Sequence, residues 1–76
     1  MKISIEYCAT WNYLPNASSL EEELKYLSFP AEVKLIPSGG GVFEVLLNEK
    51  LIFSKKALNR FPNKGEIILI IENKMK

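Results

Sequence analysis

The chain has no histidine and a single cysteine, Cys8, among its 76 residues. Without imidazoles and with one thiol, a tetrahedral zinc site of the usual Cys/His kind cannot be assembled, so no metal is expected. One cysteine also excludes an internal disulfide framework, and nothing in the cysteine usage points to an oxidising compartment. An excess of one charge is missing too. Ten basic and nine acidic side chains leave a formal charge of +1, too balanced for the field of the molecule to draw it onto nucleic acid or an anionic membrane. No apolar run approaches the roughly 20 residues of a membrane span. The opening MKISIEYC is too short and too alternating for a signal peptide, which makes the cytoplasm the expected location.

What is present is a balanced, patterned chain. Apolar residues make up 47% and charged residues 25%, and the apolar ones fall in short periodic runs, which argues for one folded domain over residues 1–76. A chain of this length buries only about 60% of the surface its unfolded form exposes, so the core must be compact. Ile3, Ile5 and Tyr7 alternate with Lys2, Ser4 and Glu6, the period of a strand with one buried face. Ala17, Leu20, Leu24 and Leu27 then follow helical spacing, and Glu21 is placed to pair with Lys25 at i, i+4,. Pro30 in SFPAE pushes Phe29 away from helical angles and ends that element,.

Val33 and Leu35 alternate with Glu32 and Lys34 in a second strand that stops at PSGGG. A helix between two strands predicts a parallel pair. Val42 to Leu47 and Lys50 to Ser54 read as a hairpin turning near Asn48 and Glu49. Asn accepts the positive φ of such turns, whereas Glu49 accepts it less readily and leaves a longer loop open. The tail, EIILII, is rich in β-branched residues and by pattern alone suits a strand,. A helix is nevertheless expected, because Asn63 and Glu66 resemble a capping pair, and Lys74 and Lys76 suit the negative end of the helix dipole,. The order is therefore βαβββα. Clean alternation in the first two strands predicts an α+β two-layer sandwich, a four-stranded mixed sheet with both helices on one face.

Cys8 falls where the first strand gives way to the helix, a place where the helix dipole favours thiolate. If Asn12 caps the helix, Pro15 sits in the first turn at no cost and Cys8 is close; if Ser18 and Glu21 form the cap, Cys8 is too far to benefit. A lone free cysteine is also commonly a packing residue, and Trp11 serves equally well as an apolar cover for the end of the sheet. In a βαβ unit followed by a hairpin, the third strand pairs beside the first, which brings Ser38, Gly39, Gly40 and Gly41 next to CATW. Consecutive glycines permit close backbone approach by a peptide or glutathione, or simply a tight entry to a strand. SKKALNRFPNKG gathers Lys55, Lys56, Arg60 and Lys64. These cations could hold glutathione carboxylates or draw an acidic partner to the site, and a solvated charged loop is the plainer reading.

Four blocks in this order, IEYC at Ile5 to Cys8, SGGGVFEV at Ser38 to Val45, LIFSKK at Leu51 to Lys56 and RFPNKGEI at Arg60 to Ile67, resemble the selenoprotein W-like or Rdx family. That group also includes selenoproteins T and H, and the similarity spans about Ile3 to Ile71. It implies a thioredoxin-like βαβββα fold and thiol or selenol redox chemistry around a C-x-x-C or C-x-x-U motif after the first strand. Cys8 matches the first motif cysteine, and Trp11 stands where the resemblance implies the second cysteine or selenocysteine.

A dithiol attacks a target disulfide with one sulfur and resolves the mixed disulfide with the other. Cys8 alone must rely on an external thiol, or be oxidised reversibly to sulfenic acid. The resulting expectation is a thiol redox protein with single-thiol activity at Cys8, Ser38 to Gly41 forming a wall beside it and Trp11 a lid or docking surface. No tightly bound cofactor is expected; glutathione and a thiol or disulfide protein are the expected partners. The alternative is a non-catalytic protein-interaction module on the same fold, with Cys8 incidental.

Overall fold

The structure, a computed structural model, describes residues 1–75. Lys76, expected to favour the end of the last helix, lies outside the described residues. The elements are β1 (Lys2–Cys8), α1 (Leu14–Leu24), β2 (Glu32–Ser38), β3 (Phe43–Leu47), β4 (Lys50–Ser54), α2 (Lys55–Leu58) and α3 (Glu66–Lys74). The strands form one four-stranded sheet in the order β2-β1-β3-β4. β1 runs parallel to β2, from Lys2 opposite Glu32 to Cys8 opposite Ser38, and antiparallel to β3, with Ile5 opposite Val45.

One face of this sheet carries the core. Ile3, Ile5, Phe43, Val45 and Phe53 meet Ala17, Leu20 and Leu24 of α1 and Ile67 and Ile71 of α3, all buried. Both longer helices thus cover the same face, as alternation in β1 and β2 predicts. Each large apolar side chain removed from water in this way contributes roughly 1.5–3 kcal/mol. The β-branched tail becomes a helix because Ile67 and Ile71, one turn apart, are both fully buried. The cost of a run that is apolar nearly all round appears at Leu69, which is 61% exposed.

Several local expectations are corrected. α1 begins at Leu14 behind Tyr13, which makes no side-chain cap. Neither Asn12 nor Ser18 caps it: Asn12 takes a left-handed φ of 59° and closes the turn after β1, a conformation that asparagine tolerates better than most residues. Pro15 lies in the first turn, where no intrahelical donor is needed,. α1 ends at Leu24, before SFPAE is reached, and Leu27 packs against the core from outside the helix. Lys25 pairs with Glu22 at 2.9 Å, one residue closer in the chain than Glu21, and both groups are so exposed that the pair contributes little.

The hairpin closes in two residues, with φ of 49° at Asn48 and 71° at Glu49, so no longer loop is needed. Asn48 makes this tolerable: its Oδ1 accepts the Lys2 N–H at 2.9 Å and its own N–H donates to the Lys2 carbonyl at 2.8 Å. Residues 55–58, expected as a charged loop, form the single turn α2, because the Ser54 hydroxyl accepts the Ala57 N–H. α3 starts behind Gly65 at φ 81° and not at an asparagine cap; half of the expected pair survives, since the Glu66 carboxylate accepts the Asn63 N–H at 2.8 Å. Among the described residues no helix is long and apolar enough to cross a membrane.

Candidate functional site

Cys8 ends β1, and two backbone bonds bring the glycine loop to it. The Cys8 N–H donates to the Val42 carbonyl at 2.8 Å, and the Ala9 N–H donates to the Ser38 carbonyl at 2.9 Å. The chain then folds back on itself, with Asn12 N–H on the Ala9 carbonyl and Tyr13 N–H on the Cys8 carbonyl. That tight turn carries the Trp11 N–H to 3.3 Å from the Cys8 sulfur. The thiol is free and completely buried.

Trp11 lies over this turn and is 61% exposed. Its indole rests on the α-carbon of Gly41: a Cβ there would come within 2.5 Å of the ring, and φ at Gly41 is +73°. Gly41 is therefore required twice, for its conformation and for the space it leaves. The open face that consecutive glycines suggested for a ligand is, at this position, taken by the chain's own tryptophan. A Cβ at Gly39 would meet nothing, and Ser38 is held through its carbonyl.

From Trp11 a line of aromatic rings runs into the core. Trp11 meets Tyr13 edge-on with centroids 6.1 Å apart, Tyr13 meets Phe61 at 4.9 Å, and Phe61 meets the fully buried Phe43 at 5.2 Å. Such perpendicular contacts favour one arrangement beyond the area they bury. Sequence periodicity does not single out Tyr13 or Phe61, since one lies in a turn and the other in a loop. The only sequence signal for Phe61 is the RFPNKGEI block itself.

The four cations of SKKALNRFPNKG, which could have held an anion together, are separated. Arg60 holds Glu66 through two bonds of 2.7 and 2.8 Å; with the Asn63 N–H as a second donor, this pulls the Glu66 carboxyl down to about 2. Lys64 lines an open groove of about 510 Å³ with Ser19, Glu22, Glu23, Tyr26 and Pro62, which includes neither Cys8 nor Trp11. Lys56 is exposed. Lys55 alone reaches the aromatic line, its ammonium 5.5 Å from the Tyr13 ring centre and 5.3 Å from that of Phe61. Among the described residues, no group of three or more His, Cys, Asp or Glu is placed to hold a metal ion.

A buried thiol at a strand end, a returning turn and a glycine loop against it agree with what sequence comparison finds. The model of the Rdx family matches residues 2–73. The chain belongs to the Rdx family. Its fold is similar to the crystal structure of a selenoprotein W-related protein from Vibrio cholerae, with a TM-score of 0.90, 27% identity, and coverage of 99% of this chain and 96% of that one. It is also similar to a protein from Bordetella parapertussis, with a TM-score of 0.89, 25% identity, and coverage of 96% and 95%. No curated protein matches it. This Rdx chain is a thioredoxin-like member of a redox family, and Trp11 and Tyr13 are the features that dominate its Cys8 end.

Proposed function

We propose that this Rdx protein is a single-thiol redox protein whose reactive atom is the Cys8 sulfur, covered at rest by the Trp11 turn. The observation that carries this reading is the Trp11 N–H directed at Cys8 Sγ over 3.3 Å, a donor from which a sulfur anion can accept. In the reaction, Cys8 thiolate attacks one sulfur of a target disulfide, a new S–S bond forms, and the other target sulfur departs as thiolate. Trp11 occupies the place of a resolving thiol, so an external thiol such as glutathione attacks the target's sulfur in the mixed disulfide. The target leaves bonded to that thiol and Cys8 returns as thiolate. Glutathione acts here as a passing co-reactant, not a bound cofactor, and the partner is a disulfide-bearing protein. A reducing cytoplasm keeps the lone thiol available.

Because Cys8 is 0% exposed, attack requires residues 9–12, all of them exposed at the surface, to swing away. The same burial favours a second reading, an interaction module that presents Trp11 and leaves Cys8 inert. Labelling the folded protein with iodoacetamide separates the two. The redox reading expects measurable labelling that rises roughly tenfold in Trp11→Ala, which removes the indole but keeps the N–H. Labelling only at the rate of global unfolding, unchanged by Trp11→Ala, would sink it. As a further check, Trp11→Cys is expected to reduce a small model disulfide with no added thiol, whereas the parent needs glutathione to release Cys8 from the mixed disulfide.

A further inference from the structure

The aromatic line and its cation form a surface that single-thiol chemistry by itself does not require. Trp11 is exposed yet held in place: its backbone is tied to Cys8 Sγ, its indole lies on Gly41 and its edge faces Tyr13. A large exposed ring that is already ordered loses little freedom when something packs on it, which is what an interface anchor needs. Leu14, next to Tyr13 in the chain, is 45% exposed and extends the apolar area.

Lys55 supplies the charge. Serine capping of α2 sets its backbone, and its half-buried stem places the ammonium over Tyr13 and Phe61. Among the described residues the ion pairs take up Lys25 and Arg60, so Lys55 has no carboxylate partner there, and exposed Lys56 follows it. A cation resting on aromatic rings is partly stripped of water, and the partner that suits it best is a carboxylate. Tyr13 touches both the indole and the ammonium, so apolar and cationic features form one continuous surface beside the Cys8 turn.

We propose that Trp11, Tyr13 and Lys55 dock an acidic peptide segment of the target protein, an apolar side chain lying on the indole and a neighbouring carboxylate at the Lys55 ammonium. The proposal rests on the redox reading only for placing a target disulfide near Cys8; binding itself needs no chemistry. A peptide is favoured over nucleic acid because two lysines and a net charge of +1 are far from the several phosphate contacts such binding uses.

Trp11 is the only tryptophan, so its fluorescence reports the site directly. The reduced protein is titrated with a short peptide of Asp and Leu residues carrying serine where a target cysteine would stand, which excludes any thiol reaction. A saturable change is expected, weakened roughly tenfold when the Asp residues are replaced by Asn, or in Lys55→Gln, and restored in Lys55→Arg. Binding must also weaken as salt is raised. Equal binding of the acidic and amide peptides, indifference to Lys55→Gln, no saturable signal, or tighter binding of oligothymidylate at the same salt each overturns the proposal. An inert Cys8 in the labelling experiment overturns the redox reading and leaves this result intact.

Discussion

The two ends of β1 are closed by turns that share a device and differ in strength. At each, an asparagine takes a left-handed conformation, Asn48 at φ 49° beside Lys2 and Asn12 at φ 59° beyond Cys8. The Asn48 turn is locked by two conventional hydrogen bonds to Lys2, at 2.9 and 2.8 Å. The Asn12 turn is held by its own backbone bonds, by an N–H on sulfur and by an indole lying against a glycine. Sulfur is a weaker hydrogen-bond acceptor than an amide oxygen, and a ring contact without interlocking polar groups slides more readily than a paired amide. One end of the sheet is fastened by paired amide bonds, and the other is held by weaker contacts.

The largest effect on this contrast is expected from Gly41→Ala. The added methyl would occupy space now filled by the Trp11 ring, at a φ of +73°, so indole and loop must separate at a cost of about 1–3 kcal/mol. Tryptophan fluorescence should shift towards that of a solvated indole, and iodoacetamide labelling of Cys8 should accelerate. An unchanged emission spectrum would mean that the ring is not held by Gly41. Asn48→Ala should destabilise the fold by about 1–2 kcal/mol in urea unfolding, through a lost hydrogen bond and a left-handed residue without its favoured side chain. It should leave Cys8 labelling of the folded protein as it was. If labelling rises equally in both variants, the two ends open together and the contrast fails.

A smaller effect concerns the loop that carries Phe61 to Tyr13. Glu66, held by Arg60 and the Asn63 N–H, has its carboxyl lowered from the ordinary 4.5 to about 2. A depressed carboxyl contributes stability that is present above its unfolded value and lost as pH falls through the folded one. Thermal unfolding temperature should therefore decline as pH drops from about 4.5 towards 2, and Glu66→Gln should flatten that decline. The change should be modest because the pair faces solvent. The smallest effect is expected at Gly39, where a Cβ meets nothing: Gly39→Ala should change neither stability beyond about 0.5 kcal/mol nor Cys8 labelling. A large loss there would show that the whole glycine run, not Gly41, supports the Trp11 turn.

Much of this architecture is legible in local pattern. Alternation in Lys2–Cys8 and again at Glu32–Leu35 marks strands with one wet face, and helical spacing at Ala17, Leu20 and Leu24 marks the crossover. Together these require a parallel pair with helices on one side. Elements of one turn are another matter: α2 depends on one serine hydroxyl reaching Ala57, and no periodicity appears in four residues. The start of α1 was ambiguous for a related reason. Asn12 and Ser18 are both good capping residues by type, yet Asn12 is drawn into the turn that returns the chain to Cys8, and the helix begins behind an uncapped Tyr13.

The sequence by itself determined the order of the four strands and two longer helices, the mixed sheet, the family and the position of Cys8 at the end of the first strand, because these follow from period, turn chemistry and motif order along the chain. Only the tertiary structure decided that Cys8 is sealed, that Trp11 lies on Gly41, that Tyr13 and Phe61 link the surface to Phe43, and that Lys55 parts company with Arg60 and Lys64. The contacts of Trp11 with Gly41, of Tyr13 with Phe61 and of Lys55 with Tyr13 join groups separated by tens of residues that meet within a few ångströms. Packing sets such distances, and no local pattern encodes them.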